Sequence, residues 1–132
     1  MNPRYSAVAE RAGHRCEYCG APEVVFNFPF EVEHIIPLGA GGDDDLANLA
    51  LSCRSCNVFK AAVVLQKDEE TGVEVRLFHP RQDQWTEHFH LGDDGQIKSL
   101  SVIGRVTSKQ LRLNMPSQIA ARRQWAKLGL YP

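Results

Sequence analysis

Long apolar runs are missing from the sequence. No stretch reaches the roughly 18 apolar residues that a membrane-spanning helix needs. The N-terminal segment MNPRYSAVAERAGHRCEYCG also lacks the apolar core of a secretory signal peptide. The sequence therefore predicts no membrane association, and we expect a cytoplasmic location.

An excess of positive charge is missing as well. The net charge is −1, whereas many nucleic-acid-binding proteins are strongly basic. The charge is nevertheless uneven, because residues 95–132 contain seven basic residues and no acidic one, while the other 94 residues carry a charge of −8. The basic end either contacts phosphates or balances the acidic part within the fold, and the composition leaves both alternatives open.

Cysteine is scarce, with four in 132 residues, but the four are regularly spaced. Cys16 and Cys19 form one C-x2-C pair, Cys53 and Cys56 form another, and 33 residues separate the pairs. Two such turns direct four thiolates at one tetrahedral ion, which predicts a structural Zn²⁺ site. A redox dithiol would explain one pair only, and disulfides conflict with the expected reducing compartment.

The composition, 43% hydrophobic and 23% charged, predicts one domain with a modest core. A shared zinc ion would fold the segment between the cysteine pairs back on itself. Within that segment, VVFNFPFEVEHIIP is rich in β-forming residues, GAGGDDDLANLA reads as a turn, and CRSCNVFKAAVVL begins a helix. The predicted arrangement is therefore two strands and a helix, ββα, around one site.

The stretch FEVEHIIPLGAGG places Glu33 beside His34. Alternation along a strand puts His34 on the face that carries Val32 and Ile36. A buried, neutral, hydrogen-bonded histidine is the simplest interpretation of this stretch alone.

The longer stretch EVEHIIPLGAGGDDDLANLALSCRSCNVFK resembles the HNH endonuclease motif of zinc-containing members of that family. In the motif an acidic residue and a histidine on one strand are followed by an asparagine in the loop and by a final histidine or asparagine on the helix. His34, Asn48 and Asn57 occupy the three named places, so the chain carries an HNN variant. The similarity, which includes both cysteine pairs, covers residues 16–60.

The resemblance implies a ββα-metal (His-Me finger) nuclease core and a role for each motif residue. His34 would be the general base, and Glu33 and Asn57 would hold one catalytic Mg²⁺ or Mn²⁺ ion. Asn48 would hold the loop and orient His34. Lys60 would contact a DNA phosphate.

Each of these residues also has a simpler interpretation. Asn48 can be a turn or capping residue, Asn57 an exposed helix residue and Glu33 a solvated strand residue. The acidic run Asp43–Asp45 is more typical of a solvated turn before a helix than of a metal cluster. Three further histidines read as surface or hydrogen-bonded core residues, namely His79, His88 and His90.

Residues 64–132 are predicted to form an extension of hairpins and helices that packs on the nuclease core at residues 1–63, in the same α+β domain. The turns ETG and DDG each lie between β-favouring runs and predict two hairpins. The segment MPSQIAARRQWAKLGL predicts a helix with Ser117 as its N-cap and Gly129 at its end. On this helix, Arg122 and Arg123 are the candidate DNA contacts.

The predicted function is that of a metal-dependent HNH endonuclease, and the expected substrate is double-stranded DNA. A zinc-stabilised DNA-binding module without catalysis is the first alternative, and a zinc-dependent protein-interaction domain is the second. The complete set of Glu33, His34 and Asn57 argues against the first, and the second leaves the histidine and asparagine positions unexplained.

Overall fold

A computed structural model describes residues 1–132 as a mixture of five α-helices and six short strands. The strands pair in chain order into three separate two-stranded antiparallel sheets. The elements are α1 (Tyr5–Arg11), β1 (Glu31–His34), β2 (Leu49–Ser52), α2 (Arg54–Lys60), β3 (Leu65–Lys67), β4 (Glu74–Arg76), α3 (Trp85–His88), β5 (Phe89–Leu91), β6 (Ile97–Ser99), α4 (Val102–Leu111) and α5 (Pro116–Lys127).

The first sheet and the helix after it contain the motif residues. In β1 and β2, Glu31 is paired with Ser52 and His34 with Leu49. All four residues of β2 are buried, and α2 begins directly after Cys53. The strand, strand and helix order therefore matches the order expected between the cysteine pairs.

The first strand is shorter than the β-rich stretch predicted from the sequence. Residues Glu23–Val25 form a single 3-10 turn, and regular pairing begins only at Glu31. Pro22 and Pro29 flank this region, and proline has no N–H to donate to a sheet ladder. The strand is therefore confined to Glu31–His34, between Pro29 and Pro37.

Both predicted hairpins are present beyond residue 64. The strands β3 and β4 enclose the turn at Gly72, and β5 and β6 enclose the turn at Gly95. Each of these glycines has a positive φ, +74° and +86° respectively, which other residues adopt at a cost. The turn residues therefore predicted these two hairpins correctly.

The last helix starts two residues earlier than predicted. Met115 is the N-cap of α5, and Pro116 occupies the first helical turn. Proline suits that position because its missing N–H would have no partner inside the helix. The prediction of Ser117 as the N-cap is wrong for this reason.

One hydrophobic cluster joins the two parts of the chain. Its twenty buried residues run from Val8 to Leu113 and include all four cysteines. Phe78 and Phe89 lie in it with ring centroids 5.5 Å apart in an edge-to-face arrangement. None of the five helices has the length and apolar character needed to cross a membrane.

Acidic partners bind part of the basic C-terminal region. Arg105 donates to Asp68 at 2.8 and 3.0 Å and also lies 2.8 Å from Glu70. Lys109 pairs with Glu69. Charge balance within the fold therefore accounts for two of the seven cations in this region.

The four cysteines form one buried cluster. Their sulfur atoms all lie within 4.8 Å of one another, and the Sγ atoms of Cys19 and Cys53 are 3.8 Å apart. A tetrahedral zinc site with Zn–S bonds of about 2.3 Å separates its sulfurs by about 3.8 Å. The thiols are not joined as disulfides, and their spacing fits a structural zinc ion.

Backbone geometry preforms both halves of the cluster. In the first pair, the N–H of Gly20 donates to the carbonyl of Cys16 at 2.8 Å, in a turn where Gly20 has φ +80°. In the second pair, Cys53 caps α2, and its sulfur accepts the N–H of Cys56 at 3.5 Å. Each pair of thiols is thereby held on one tight turn.

We expect one zinc ion per chain and loss of folding, rather than loss of activity alone, when Cys53 is replaced by serine. Metal content by elemental analysis and thermal unfolding by circular dichroism would measure both. Arg54→Ala changes an exposed neighbour and should keep zinc and melting temperature. A soluble, folded wild-type protein without zinc would contradict the prediction.

Candidate functional site

An open depression beside the end of β1 contains three of the predicted site residues. Glu33, His34 and Asn57 line it together with apolar and small residues of the following loop and of the α2 end. The strand supplies Glu33 and His34, and α2 supplies Asn57. The fold therefore brings these motif residues together at one surface.

His34 lies at the mouth of the depression rather than in the core. About 30% of its side chain is exposed. Its Nε2 is 2.6 Å from Oδ1 of Asp44, while Nδ1 has no hydrogen-bond partner within the protein. The interpretation of His34 as a buried core histidine is therefore wrong.

Asn48 is buried and holds the loop that follows β1. Its Oδ1 accepts the N–H of Ile36 at 2.9 Å, and its Nδ2 donates to the carbonyls of Ile36 and Asp43 at 3.0 and 2.8 Å. Gly42 permits this contact, since a Cβ there would lie 1.8 Å from the Ile36 oxygen. Asn48 thus connects the two ends of the loop, as the resemblance implies for this position.

Glu33 is buried, with 7% of its surface exposed. The hydroxyl of Tyr18 donates to its Oε1, and Nζ of Lys60 lies 3.3 Å from its Oε2. Burial raises the pKa of Glu33, and the positive charge of Lys60 opposes that rise. The interpretation of Glu33 as a solvated strand residue is wrong.

Lys60 does not lie on the surface. The residue is 1% exposed, and Nζ donates to the carbonyl of Ile35 at 2.9 Å in addition to its contact with Glu33. The last turn of α2 directs this ammonium group beneath β1. The prediction that Lys60 contacts a phosphate is corrected by this burial.

Asn57 lies next to a carboxylate that the sequence did not single out. Its Nδ2 donates to Oε2 of Glu31, which leaves its Oδ1 without a hydrogen-bond partner in the protein. Arg54 lies 3.7 Å from the other oxygen of Glu31. Alternation along β1 with Glu33 was the available signal for Glu31, because residues i and i+2 share a strand face.

The two predicted DNA-contacting arginines of α5 lie in different environments. Arg122 is 1% exposed and donates to the carbonyls of Gly95 and Leu113, both at 2.6 Å. This burial corrects the prediction that Arg122 contacts DNA. Arg123, one position further along the helix, is exposed.

We expect Lys60→Met to destabilise the fold by about 3–5 kcal/mol, because it leaves the Glu33 carboxylate buried without its cation. Lys67→Met, at an exposed lysine, should stay within about 0.5 kcal/mol of wild type. Urea unfolding measures both. Adding Glu33→Gln to Lys60→Met should recover part of the loss, and strictly additive effects would contradict a direct pairing.

Comparison with known protein families finds a match for the part of the chain that contains this depression. The family model described as HNH endonuclease matches residues 16–62. No curated protein and no solved structure matches the chain. The match includes both cysteine pairs, Glu33, His34, Asn48 and Asn57, and it indicates nuclease-type activity on a nucleic acid. The predicted resemblance is confirmed, because the HNH endonuclease family model matches residues 16–62.

Proposed function

We propose that the protein is a metal-dependent endonuclease of the ββα-metal type that hydrolyses phosphodiester bonds of double-stranded DNA. The main support is that His34, Glu33 and Asn57 line a single open depression. One solvent-accessible imidazole beside a carboxylate and an amide oxygen is a suitable donor set for phosphodiester hydrolysis.

His34 is the proposed general base. A general base must reach the attacking water directly and must present an unprotonated nitrogen to it. The imidazole is partly exposed at the mouth of the depression, and its Nδ1 is free of protein partners. This nitrogen is the proposed acceptor of the water proton.

Glu33 and Asn57 are the proposed holders of a divalent Mg²⁺ or Mn²⁺ ion. Their carboxylate and amide oxygens are hard ligands of the kind that such ions prefer. A carboxylate has about four lone-pair positions, and Tyr18 and Lys60 engage one on each oxygen of Glu33. When bound, the ion supplies positive charge beside the phosphate and the leaving oxygen.

Lys60 influences the proposed ion site from behind Glu33. Carboxylates that bind metals are themselves held by hydrogen bonds, and here Tyr18 and Lys60 provide them. The ammonium group also repels an approaching cation. We therefore propose a weakly held ion that binds together with the DNA substrate.

Duplex DNA is the proposed substrate, and α5 is the proposed phosphate-contacting helix. Gln118 in its first turn donates to Ser55 of α2 at 3.0 Å, which connects α5 to the helix of the site. Arg123 and Lys127 are exposed and lie four residues apart, on one helix face. Contacts from these cations would be independent of DNA sequence.

We expect the purified protein to relax supercoiled plasmid in the presence of Mg²⁺, and His34→Ala to lower the rate by at least about a hundredfold. His90→Ala, at an exposed histidine, should cleave like wild type. Zinc content should be equal in all three proteins. Binding of the plasmid by wild type without any cleavage would favour the alternative of an inactive DNA-binding module.

We expect Glu33→Gln to raise the Mg²⁺ concentration needed for half-maximal cleavage, because it removes one negative charge from the proposed ion site. Glu31→Gln, on the same strand, should raise this concentration less, because Glu31 contacts the proposed ion site only through Asn57. A Mg²⁺ titration of cleavage rate compares the two. An increase for Glu31→Gln alone would place the carboxylate ligand at Glu31 instead.

A further inference from the structure

Asp44 contacts His34 across the loop that follows β1. Its Oδ1 lies 2.6 Å from Nε2 of His34, although 77% of the Asp44 side chain is exposed. The neighbours Asp43 and Asp45 make no side-chain contact with the imidazole. One member of the acidic run is therefore distinguished by a specific hydrogen bond.

The direction of this bond fixes which imidazole nitrogen carries a proton. An ionised carboxylate only accepts hydrogen bonds, so Nε2 of His34 must be the donor. In a neutral ring the lone pair then lies on Nδ1. This is the nitrogen that has no partner within the protein.

The loop backbone holds Asp44 in place. Asn48 donates to the carbonyl of Asp43 and binds both polar backbone groups of Ile36. The N–H of Asn48 also donates to the carbonyl of Asp45 at 2.8 Å. The residues on either side of Asp44 are thereby fixed to the segment that follows His34.

Stability does not explain the contact. A hydrogen bond with one partner this exposed contributes little to folding, because water competes for the carboxylate. A carboxylate beside a phosphate-binding surface also opposes the binding of DNA. Neither folding nor the binding of DNA therefore explains why the loop places a carboxylate there.

We propose that Asp44 is a positioning residue for the reaction, and that it holds the imidazole of His34 so that Nδ1 faces the attacking water. This inference rests on the proposed function of His34 as the general base. Asn48 acts one step further away, because it holds the loop that carries Asp44. The acidic run is thus partly functional rather than only a solvated turn.

Imidazole ¹H–¹⁵N spectra of the labelled protein, recorded without divalent ions, test the hydrogen bond. Wild type should show a downfield Nε2–H signal that disappears in His34→Ala. Asp44→Ala should lose this signal, whereas Asp45→Ala should retain it, since the side chain of Asp45 makes no hydrogen bond. Persistence of the signal in Asp44→Ala would overturn the proposal.

Plasmid cleavage tests the consequence for the reaction. Asp44→Ala should lower kcat by about tenfold to a hundredfold, the usual effect of removing an orienting partner, without raising KM. Asp44→Asn should be intermediate, because its amide oxygen can still accept from Nε2–H. Equal kcat for Asp44→Ala and Asp45→Ala would overturn the positioning role.

The two measurements separate this inference from the proposed function. If wild type cleaves no DNA, the proposed function fails, and with it the positioning role. If wild type cleaves DNA and Asp44→Ala loses both the signal and kcat at an unchanged melting temperature, both are supported.

Discussion

The buried contact between Glu33 and Lys60 connects the parts of the site. Glu33 belongs to β1, Lys60 ends α2, and Tyr18, which also binds Glu33, lies between the two cysteines of the first pair. A buried carboxylate and ammonium are costly to separate, since each would remain as an uncompensated charge. The position of α2 relative to β1, and of both relative to the first cysteine turn, depends on this contact.

The same contact explains why Glu33 and His34 are neighbours. Successive residues of a strand point to opposite sides, so a strand that buries Glu33 against Lys60 directs His34 outward to the depression. Pairing of β1 ends at His34, opposite Leu49, and the loop held by Asn48 begins directly afterwards. Glu33 therefore holds the strand to α2, and His34 is presented to solvent. Both residues line the same depression, which lies at the end of the strand.

The parts of the fold that could be predicted depend on local chemistry. Cysteine spacing predicted the thiol cluster, and glycine turns predicted both hairpins. Lys60 and Arg122 were predicted to contact DNA phosphates, Lys60 from its place in the motif and Arg122 from its place on the basic C-terminal helix. Their partners are the carbonyls of Ile35, Gly95 and Leu113, which lie 25, 27 and 9 residues away in the chain. Sequence alone does not reveal such carbonyls, nor does it distinguish Asp44 from the two acidic residues beside it.

The C-terminal part of the chain completes the surroundings of the first cysteine turn. Trp85 donates from Nε1 to the carbonyl of Tyr18 at 2.9 Å, and the hydroxyl of Tyr131 donates to the carbonyl of Cys19 at 2.6 Å. Without these donors, both carbonyls would need other partners, because buried polar groups are costly when unsatisfied. Tyr18 also donates to Glu33. The chain beyond residue 62 therefore helps to position Glu33, because it binds the backbone of this turn. The region that matches the HNH family is thus supported by contacts from outside it.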